Sequence, residues 1–482
     1  MTGIRIYEIN TWPWLSELSE RYGTGITLES VPDTEWDALR AMRFDAVWLM
    51  GVWERSAEGR TIARSHPMVL AECARVVPSL NPSRDIVGSP YSIRSYTVEA
   101  QLGGSSALKV ARQKLHPRGL RLFLDYVPNH TGRDHAWLHE TSDCYVSGTD
   151  QDLASQPGRF FSKDGRVIAH GAPSRQPSDV WTDTAQLNAF SARYRALAVE
   201  TLTAIGRQCD GVRCDMAHLL RTAAFESLWG AAAGPKPATE FWAEVLQKVR
   251  HHHPEMLFVA ECYGDTQSAL VQDGFDACYD KERFYDRLRA SDCAGLRRHL
   301  EGTGAEQMKR LVHFISNHDE DPVEQAFQPP ERHRLAAVAV ATLPGPSLWH
   351  HLQLEGRWGK QYVQLGTSVL VRCFYQRLLV ATDRPALRQG RWSLCELAQA
   401  PSMLAYCSEH EDDRVVVVLN LSAGDSQGML KVPWPALAGR RWTTRDLLSG
   451  DEAEHDGDQM LAGDMPIHLP PWGTLLVEVA GR

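Results

Sequence analysis

Over the first three quarters of the chain, short apolar runs alternate with longer amphipathic stretches. Runs at residues 4–9, 46–50, 120–126, 211–213, 257–260, 275–279, 311–315 and 347–349 have the length and content of buried strands. Between them, residues 33–43, 109–116, 193–207, 241–251 and 332–343 place apolar side chains at helical spacing. Asp33 stands where the first of these helices needs a cap. Eight strands interleaved with helices predict parallel βαβ units, either closed into a barrel or doubly wound.

Two regions break this rhythm. Residues 131–188 are rich in Gly, Pro, Ser and Asp and hold no sustained period. They follow the third strand directly, where barrel enzymes build their sites, and a long irregular stretch inside a compact domain is usually functional. From about residue 384 the pattern changes to strands at 403–407, 415–421, 428–432 and 474–479, separated by turn residues. That is the signature of a small all-β domain, a sandwich. The expected organisation is a barrel from residues 1–130 and 189–384, an inserted loop-rich subdomain at 131–188, and a β-sandwich domain at 385–482. The sandwich is expected to pack on the barrel and stabilise it.

Composition narrows the function classes. Apolar residues make up 43% and charged residues 23%, as in ordinary globular proteins. The net charge is −9 and no basic block accumulates, which argues against nucleic acid or an anionic membrane as partner. Ten cysteines are scattered without a CxxC pair, so a zinc or thioredoxin-like site is not expected. No run of 18 apolar residues marks a membrane span, and MTGIRIYEIN lacks the basic and apolar parts of a signal peptide. The expectation is a soluble, cytoplasmic protein with reduced thiols. Its oligomeric state is open.

Four polar clusters sit at or just beyond the ends of expected strands. They are Asp125-Tyr-Val-Pro-Asn129-His130, Gly211-Val-Arg213-Cys-Asp215, Val259-Ala-Glu261, and Ser316-Asn317-His318-Asp319. Charges at the end of a core strand need partners or a function. In a closed parallel barrel these ends meet at one mouth. Side chains alternate along a strand, so Arg213 and Asp215 point the same way, and the guanidinium is expected to keep Asp215 ionised as a nucleophile. Glu261 follows an apolar run, and partial desolvation is expected to keep it protonated as a general acid. Two carboxyl groups in opposite proton states are what cleavage of a glycosidic bond requires. His130, His318 and Asp319 supply donors and an acceptor for sugar hydroxyls, and Asp125 is expected in a supporting role.

These clusters resemble, in order, the four signature regions of the α-amylase family of glycoside hydrolases. The resemblance implies a (β/α)8 TIM barrel of the α/β class with an insertion after strand 3 and a C-terminal β-sandwich domain. It implies Asp215 as nucleophile, Glu261 as acid/base and Asp319 as transition-state stabiliser, with Arg213, His130 and His318 binding substrate. Tyr91, in Gly88-Ser-Pro-Tyr91, resembles the tyrosine that stacks under the sugar at the cleaved bond. The implied activity is retaining cleavage of α-glucosidic bonds in oligosaccharides or a disaccharide, through a covalent glycosyl-enzyme. The same residues serve a transglycosylase or a sucrose/trehalose-type isomerase.

The chain also departs from the family pattern. His218 and Leu219 stand where many members carry Lys-His, near the leaving sugars. Asn129 matches a calcium-ligand position, but Gln186, in Asp183-Thr-Ala-Gln186-Leu-Asn188, stands where the other ligand, an aspartate, is expected. Losing a charged ligand weakens a hard-cation site, so no cofactor is expected to be required, calcium included. The stretch at residues 350–356 resembles bacterial branches of the family without an assigned substrate.

Plainer readings exist for each residue. Asp215 or Glu261 alone would read as an ion-pair partner, and only their joint placement makes them catalytic. Histidines 130, 135 and 139 lack the carboxylate pattern of a zinc site, and residues 251–253 read as a helix end. Most tryptophans are core, but Trp137 and Trp181 fall in the polar insertion, where little core is expected, and are candidates for substrate contact. A non-catalytic sugar-binding relative is disfavoured because all three carboxylates are kept. An unrelated metal- or phosphate-using barrel is disfavoured because no Gly-rich phosphate loop or ligand-spaced His pair is present.

Overall fold

The computed structural model describes residues 3–77, 79–355 and 372–481. Gly356, the last residue of the 350–356 stretch, lies outside the described residues. Eight parallel strands form one sheet: β1 (Arg5–Asn10), β2 (Ala46–Met50), β3 (Arg121–Tyr126), β4 (Gly211–Cys214), β5 (Leu257–Ala260), β6 (Ala277–Tyr279), β7 (Leu311–Val312) and β8 (Ser347–His350). Each pairs with its neighbours in chain order, and β1 pairs with β8. The ring closes between β7 and β8 through a parallel bridge from His313 to Ser347. The chain is therefore a (β/α)8 barrel.

The strands are mostly buried because they are covered on both faces, and β2 and β5 are wholly apolar. All five residues of β2 are buried. The outer helices carry one apolar face: Phe241–His252 buries Phe241, Trp242, Val245, Leu246 and Val249. At the start of β4 only glycine fits, since a Cβ on Gly211 would stand 2.4 Å from the ring of Phe123. Two local expectations are corrected. Asp33 is the first residue of helix Asp33–Ala41 and not its cap, which is Pro32 and makes no side-chain bond. Strand β7 stops at Val312, because the chain turns to deliver residues 316–319 to the mouth.

The insertion is more ordered than its composition suggests. Ser147–Gly148, Phe160–Lys163 and Arg166–Ala169 form a three-stranded antiparallel sheet. Thr184–Gln186 pairs antiparallel with His130–Gly132, tying the end of the insertion to its beginning. Tyr145, Val146, Phe160, Phe161, Ile168 and Leu187 extend the barrel core into it.

The C-terminal domain holds two antiparallel sheets. One orders Arg391–Leu394, Met403–His410, Asp413–Asn420, Thr474–Gly481, Arg441–Asp446 and Glu452–Asp456; the other holds Glu396–Ala398, Ser426–Lys431 and Met465–Leu469. Alternation decides which face each residue serves. Met403, Ala405, Cys407, Val416 and Val418 point into the sandwich with Leu430 and Ile467. Leu404, Tyr406, Val415, Val417 and Leu419 join the barrel's core. This explains helix Pro330–Thr342, which buries every residue from Leu335 to Thr342: a helix covered on all sides has no polar stripe. Thr342 Oγ1 and Tyr406 Oη meet at 2.6 Å across that contact. Among the described residues no helix is long and apolar enough to cross a membrane.

Candidate active site

The strand ends converge on Arg213. This side chain sits on β4, in register with Asp125 on β3 and Val259 on β5. Its Nη1 donates to Asp215 Oδ1 at 2.7 Å and lies 3.8 Å from Asp125 Oδ1. Its Nη2 lies 2.8 Å from Glu261 Oε2 and 4.0 Å from Asp319 Oδ2. One buried guanidinium thus holds the ends of three strands and faces the loop after β7. The rings of Tyr91 and Trp48 flank it, with their centroids 5.2 and 5.3 Å from its central carbon.

Above this cation lies a cavity of about 260 Å³, lined by Ser89, Tyr91, His130, Trp181, Asp183, Thr184, Asp215, Met216, Glu261, Tyr263 and Asp319. It falls just short of the ~300–1,000 Å³ of drug-sized sites. The expected site residues Asp215, Glu261, Asp319, Tyr91, His130 and Trp181 all line it. His318 and Arg213, expected to bind substrate, do not line it: both are buried behind the wall, where the His318 ring stacks on Tyr91 with centroids 5.2 Å apart. Trp181 packs on His130 at 4.9 Å. Trp137 does not line the cavity. It packs on His135 and Tyr194, because the barrel core extends into the insertion and claims it.

His318 is held between two carboxylates. Nδ1 lies 2.5 Å from Glu8 Oε1 and Nε2 lies 3.0 Å from Asp319 Oδ2. Burial alone would push this imidazole down, but Asp319 and Glu8 outweigh it and hold the pKa well above the ordinary value. His318 is therefore a cation that orients the half-exposed Asp319. His130 is the opposite case: burial pushes it down to about 3, leaving a neutral ring. Asp125 is raised to about 6, mainly by burial and against the pull of Arg213. It accepts from the Gly51 N–H at 3.2 Å and the Tyr91 hydroxyl at 3.4 Å, which suits a supporting role.

The two central carboxyls differ from expectation. The Asp215 carboxyl is pushed well above the ordinary range, first by burial and then by the charge of Glu261, and Arg213 only partly opposes this. Glu261 is buried, but among donors and not apolar groups. Oε2 accepts from the Met216 N–H at 2.7 Å and forms an ion pair with Arg213, and Oε1 accepts from the Tyr263 hydroxyl at 2.7 Å. The turn after β4 supplies the first donor, with Met216 at a positive φ of 44° that aims its N–H across the mouth. The pair is coupled through one guanidinium, so a proton on Glu261 removes the charge that raises Asp215. The expected apolar pocket around Glu261 is absent, since its oxygens face Arg213, the Met216 N–H and the Tyr263 hydroxyl.

Ser89, beside Tyr91, and Asp183 and Thr184, just before Gln186, line the cavity from the motifs quoted above, whereas Tyr263 and Met216 line it from outside any of them. For Tyr263 a signal existed: it lies two residues beyond Glu261. Asp183 is raised to about 6, chiefly by burial.

Asn129 and Gln186 do meet, at the start of the insertion. Gln186 Nε2 donates to the Asn129 carbonyl at 2.8 Å, to Asn129 Oδ1 at 3.0 Å and to the Leu187 carbonyl at 3.0 Å. Gln186 Oε1 in turn accepts from Asn129 Nδ2 at 3.3 Å. The oxygens a calcium ion would need converge on an amide nitrogen, and neither side chain carries a charge. This donor set does not fit a hard dication.

Comparison with known proteins agrees with this geometry. The family model "Alpha amylase, catalytic domain" matches residues 34–277, just over half of the chain. Alpha-amylase MalA of Haloarcula japonica is 24% identical over 401 residues, covering 77% of this chain and 52% of that protein. A cyclomaltodextrinase of Geobacillus thermopakistaniensis is 20% identical over 419 residues, covering 80% of this chain and 63% of that protein. The chain thus spans between half and two thirds of the length of these relatives. The solved maltogenic alpha-amylase AmyB of Thermotoga neapolitana superposes with a TM-score of 0.68 at 16% identity, over 99% of both chains. Barrel, ordered motifs and matched catalytic domain together place this chain in the α-amylase family.

Proposed function

We propose that this protein cleaves α-glucosidic bonds of maltodextrin-type oligosaccharides or a disaccharide with retention of configuration. The observation that carries this is the Asp215–Arg213–Glu261 bridge beneath the cavity, with Asp319 opposite. Asp215 attacks the anomeric carbon while Glu261 protonates the departing oxygen, and a covalent glycosyl-enzyme forms. Glu261, now ionised, then takes a proton from the acceptor. One guanidinium reaching both carboxyls suits the short spacing of a retaining pair, ~5–5.5 Å against ~6.5–9.5 Å for inversion. Asp319, oriented by His318, binds sugar hydroxyls and favours the distorted ring of the transition state. Tyr91, His130 and Trp181 form the walls that hold the ring. The names of the relatives support an α-glucan substrate.

Water as acceptor makes the enzyme a hydrolase, and a sugar hydroxyl makes it a transglycosylase or isomerase. The test is product analysis on sucrose, trehalose, maltose, maltooligosaccharides and starch, with Asp215→Ala as control. Glucose or short maltooligosaccharides as sole products establish hydrolysis. New disaccharides or longer chains without matching free glucose establish transfer. No product from any of them would sink the reading.

The reading includes activity without calcium and a cytoplasmic location. Nine of ten cysteines are buried and all ten are unpaired, which suits a reducing compartment. For calcium, the native protein is expected to melt at the same temperature with and without a chelator. Gln186→Asp replaces the donating amide by a carboxylate and should make the melting temperature rise with added calcium. A chelator-sensitive native protein would refute this.

A further inference from the structure

We propose that Tyr263 is a positioning residue for the acid/base carboxyl, its hydroxyl holding the Glu261 oxygen that delivers the proton. The proposal rests on the glycosidase reading above. Glu261 has two unlike oxygens. Oε2 is taken by a cation and an amide, Arg213 Nη2 at 2.8 Å and Met216 N–H at 2.7 Å. An oxygen that accepts from an amide and faces a guanidinium is the poorer place for a proton, which leaves Oε1 as the acid oxygen. The Tyr263 hydroxyl donates to Oε1 at 2.7 Å from within the cavity lining.

The Tyr263 phenol is itself fixed. The Gly264 N–H, in a turn with φ +68°, donates to Glu282 at 2.7 Å. The Thr266 hydroxyl donates to the Tyr263 carbonyl at 2.9 Å. His218 packs edge-on to the ring at 5.3 Å. Burial and the Glu261 charge keep the phenol protonated, so it can only act as a neutral hydroxyl. A hydroxyl both donates and accepts. It can donate to ionised Oε1 and accept from protonated Oε1, keeping the side chain aimed in both halves of the cycle. When the glycosidic oxygen arrives, the Oε1 proton moves to it, the bond from C1 to that oxygen breaks with its electron pair on the departing oxygen, and Asp215 bonds to C1. Tyr263 then donates to the carboxylate left behind.

The hydrogen bond to the ionised carboxylate is the stronger one, so Tyr263 favours ionised Glu261. Other groups facing this carboxyl are Arg213 of β4, Asp215 and His218 of the turn that follows it, Tyr279 of β6 and, across the cavity, Asp319. None of them changes in Tyr263→Phe, which keeps the ring against His218.

The test compares Tyr263→Phe with the native enzyme on two substrates. A nitrophenyl α-glucoside has a leaving group that needs little protonation, whereas maltotriose needs a full proton. Expected are a fall in kcat/KM of roughly tenfold or more on maltotriose, less than about threefold on the nitrophenyl substrate, and a basic limb of kcat/KM displaced upward by about one pH unit. Equal losses on both substrates with an unmoved limb would mean that Tyr263 only packs, and would overturn the proposal. If the native protein cleaves neither substrate, the glycosidase reading fails and the proposal falls with it. The melting temperature of the variant, measured alongside, shows whether equal losses come from unfolding.

Discussion

Asp215→Ala should lower turnover by about 10⁴–10⁶-fold, the range for removing a covalent nucleophile, without lowering the melting temperature. The two halves have one cause. Asp215 is buried beside Glu261, and both burial and that charge push its carboxyl well above the ordinary range. A carboxyl raised in this way binds its proton more tightly in the native state than in the unfolded chain, so its contribution to stability is lost as pH rises toward neutrality. Removing it relieves the repulsion, while Arg213 keeps Glu261 at 2.8 Å as partner and has Asp125 at 3.8 Å. The site is strained for chemistry and not for stability. A second readout follows from the space left behind. A small anion such as azide should restore turnover of a nitrophenyl α-glucoside by attacking from the face Asp215 occupied, giving the β-configured glycosyl azide. Unchanged turnover in the variant would move the nucleophile elsewhere. A large fall in melting temperature with modest loss of activity would make Asp215 a structural ion-pair partner.

What the sequence disclosed is what local covalent geometry determines. Arg213 and Asp215 share a face because strand side chains alternate, and the spacing survives whatever surrounds it. Strands such as Ala46–Met50 and Leu257–Ala260 stand out because burial on both faces leaves runs with no polar residue, whereas Arg5–Asn10 is legible only through the apolar residues between its charges. Features set by distant partners stayed hidden. The Glu261 environment depends on an N–H delivered by Met216, 45 residues away in the chain, and on Arg213 from the neighbouring strand. Trp137 falls in an insertion of polar composition, yet in space it meets Tyr194, from the helix Ala192–Gly206. Closure of the barrel through His313 and Ser347 leaves almost no periodic trace, since β7 has two residues. The amide network of Gln186 was half legible. The residue type announced the missing charge, and only the fold showed its nitrogen at the meeting point of the oxygens.

Arg213→Met should destabilise the fold by about 3–5 kcal/mol at neutral pH, the cost of leaving buried charges without their partner. Arg213 is the shared counter-ion of Asp125, Asp215 and Glu261, and is 2% exposed, so solvent does not replace it. Methionine retains much of the volume between the Trp48 and Tyr91 rings, which limits the contribution of packing. The loss should depend on pH in a fixed direction. Asp125 is already raised to about 6 from 3.8, mainly by burial, and Asp215 is raised as well. A carboxyl with a raised folded pKa binds its proton more tightly in the native state than in the unfolded chain. Its stabilising contribution is complete below the unfolded value and is lost as pH rises through the folded value. Without the guanidinium both carboxyls rise further, so the variant should lose more stability than the native protein between pH 4 and neutrality. Denaturant midpoints at pH 7.5 and pH 5 measure this: the gap between native and variant should be widest at pH 7.5 and narrow at pH 5. An equal gap at both values would assign the role of Arg213 to packing of its side chain, and the guanidinium would then be a conductor of geometry between the carboxyls without being their electrostatic anchor.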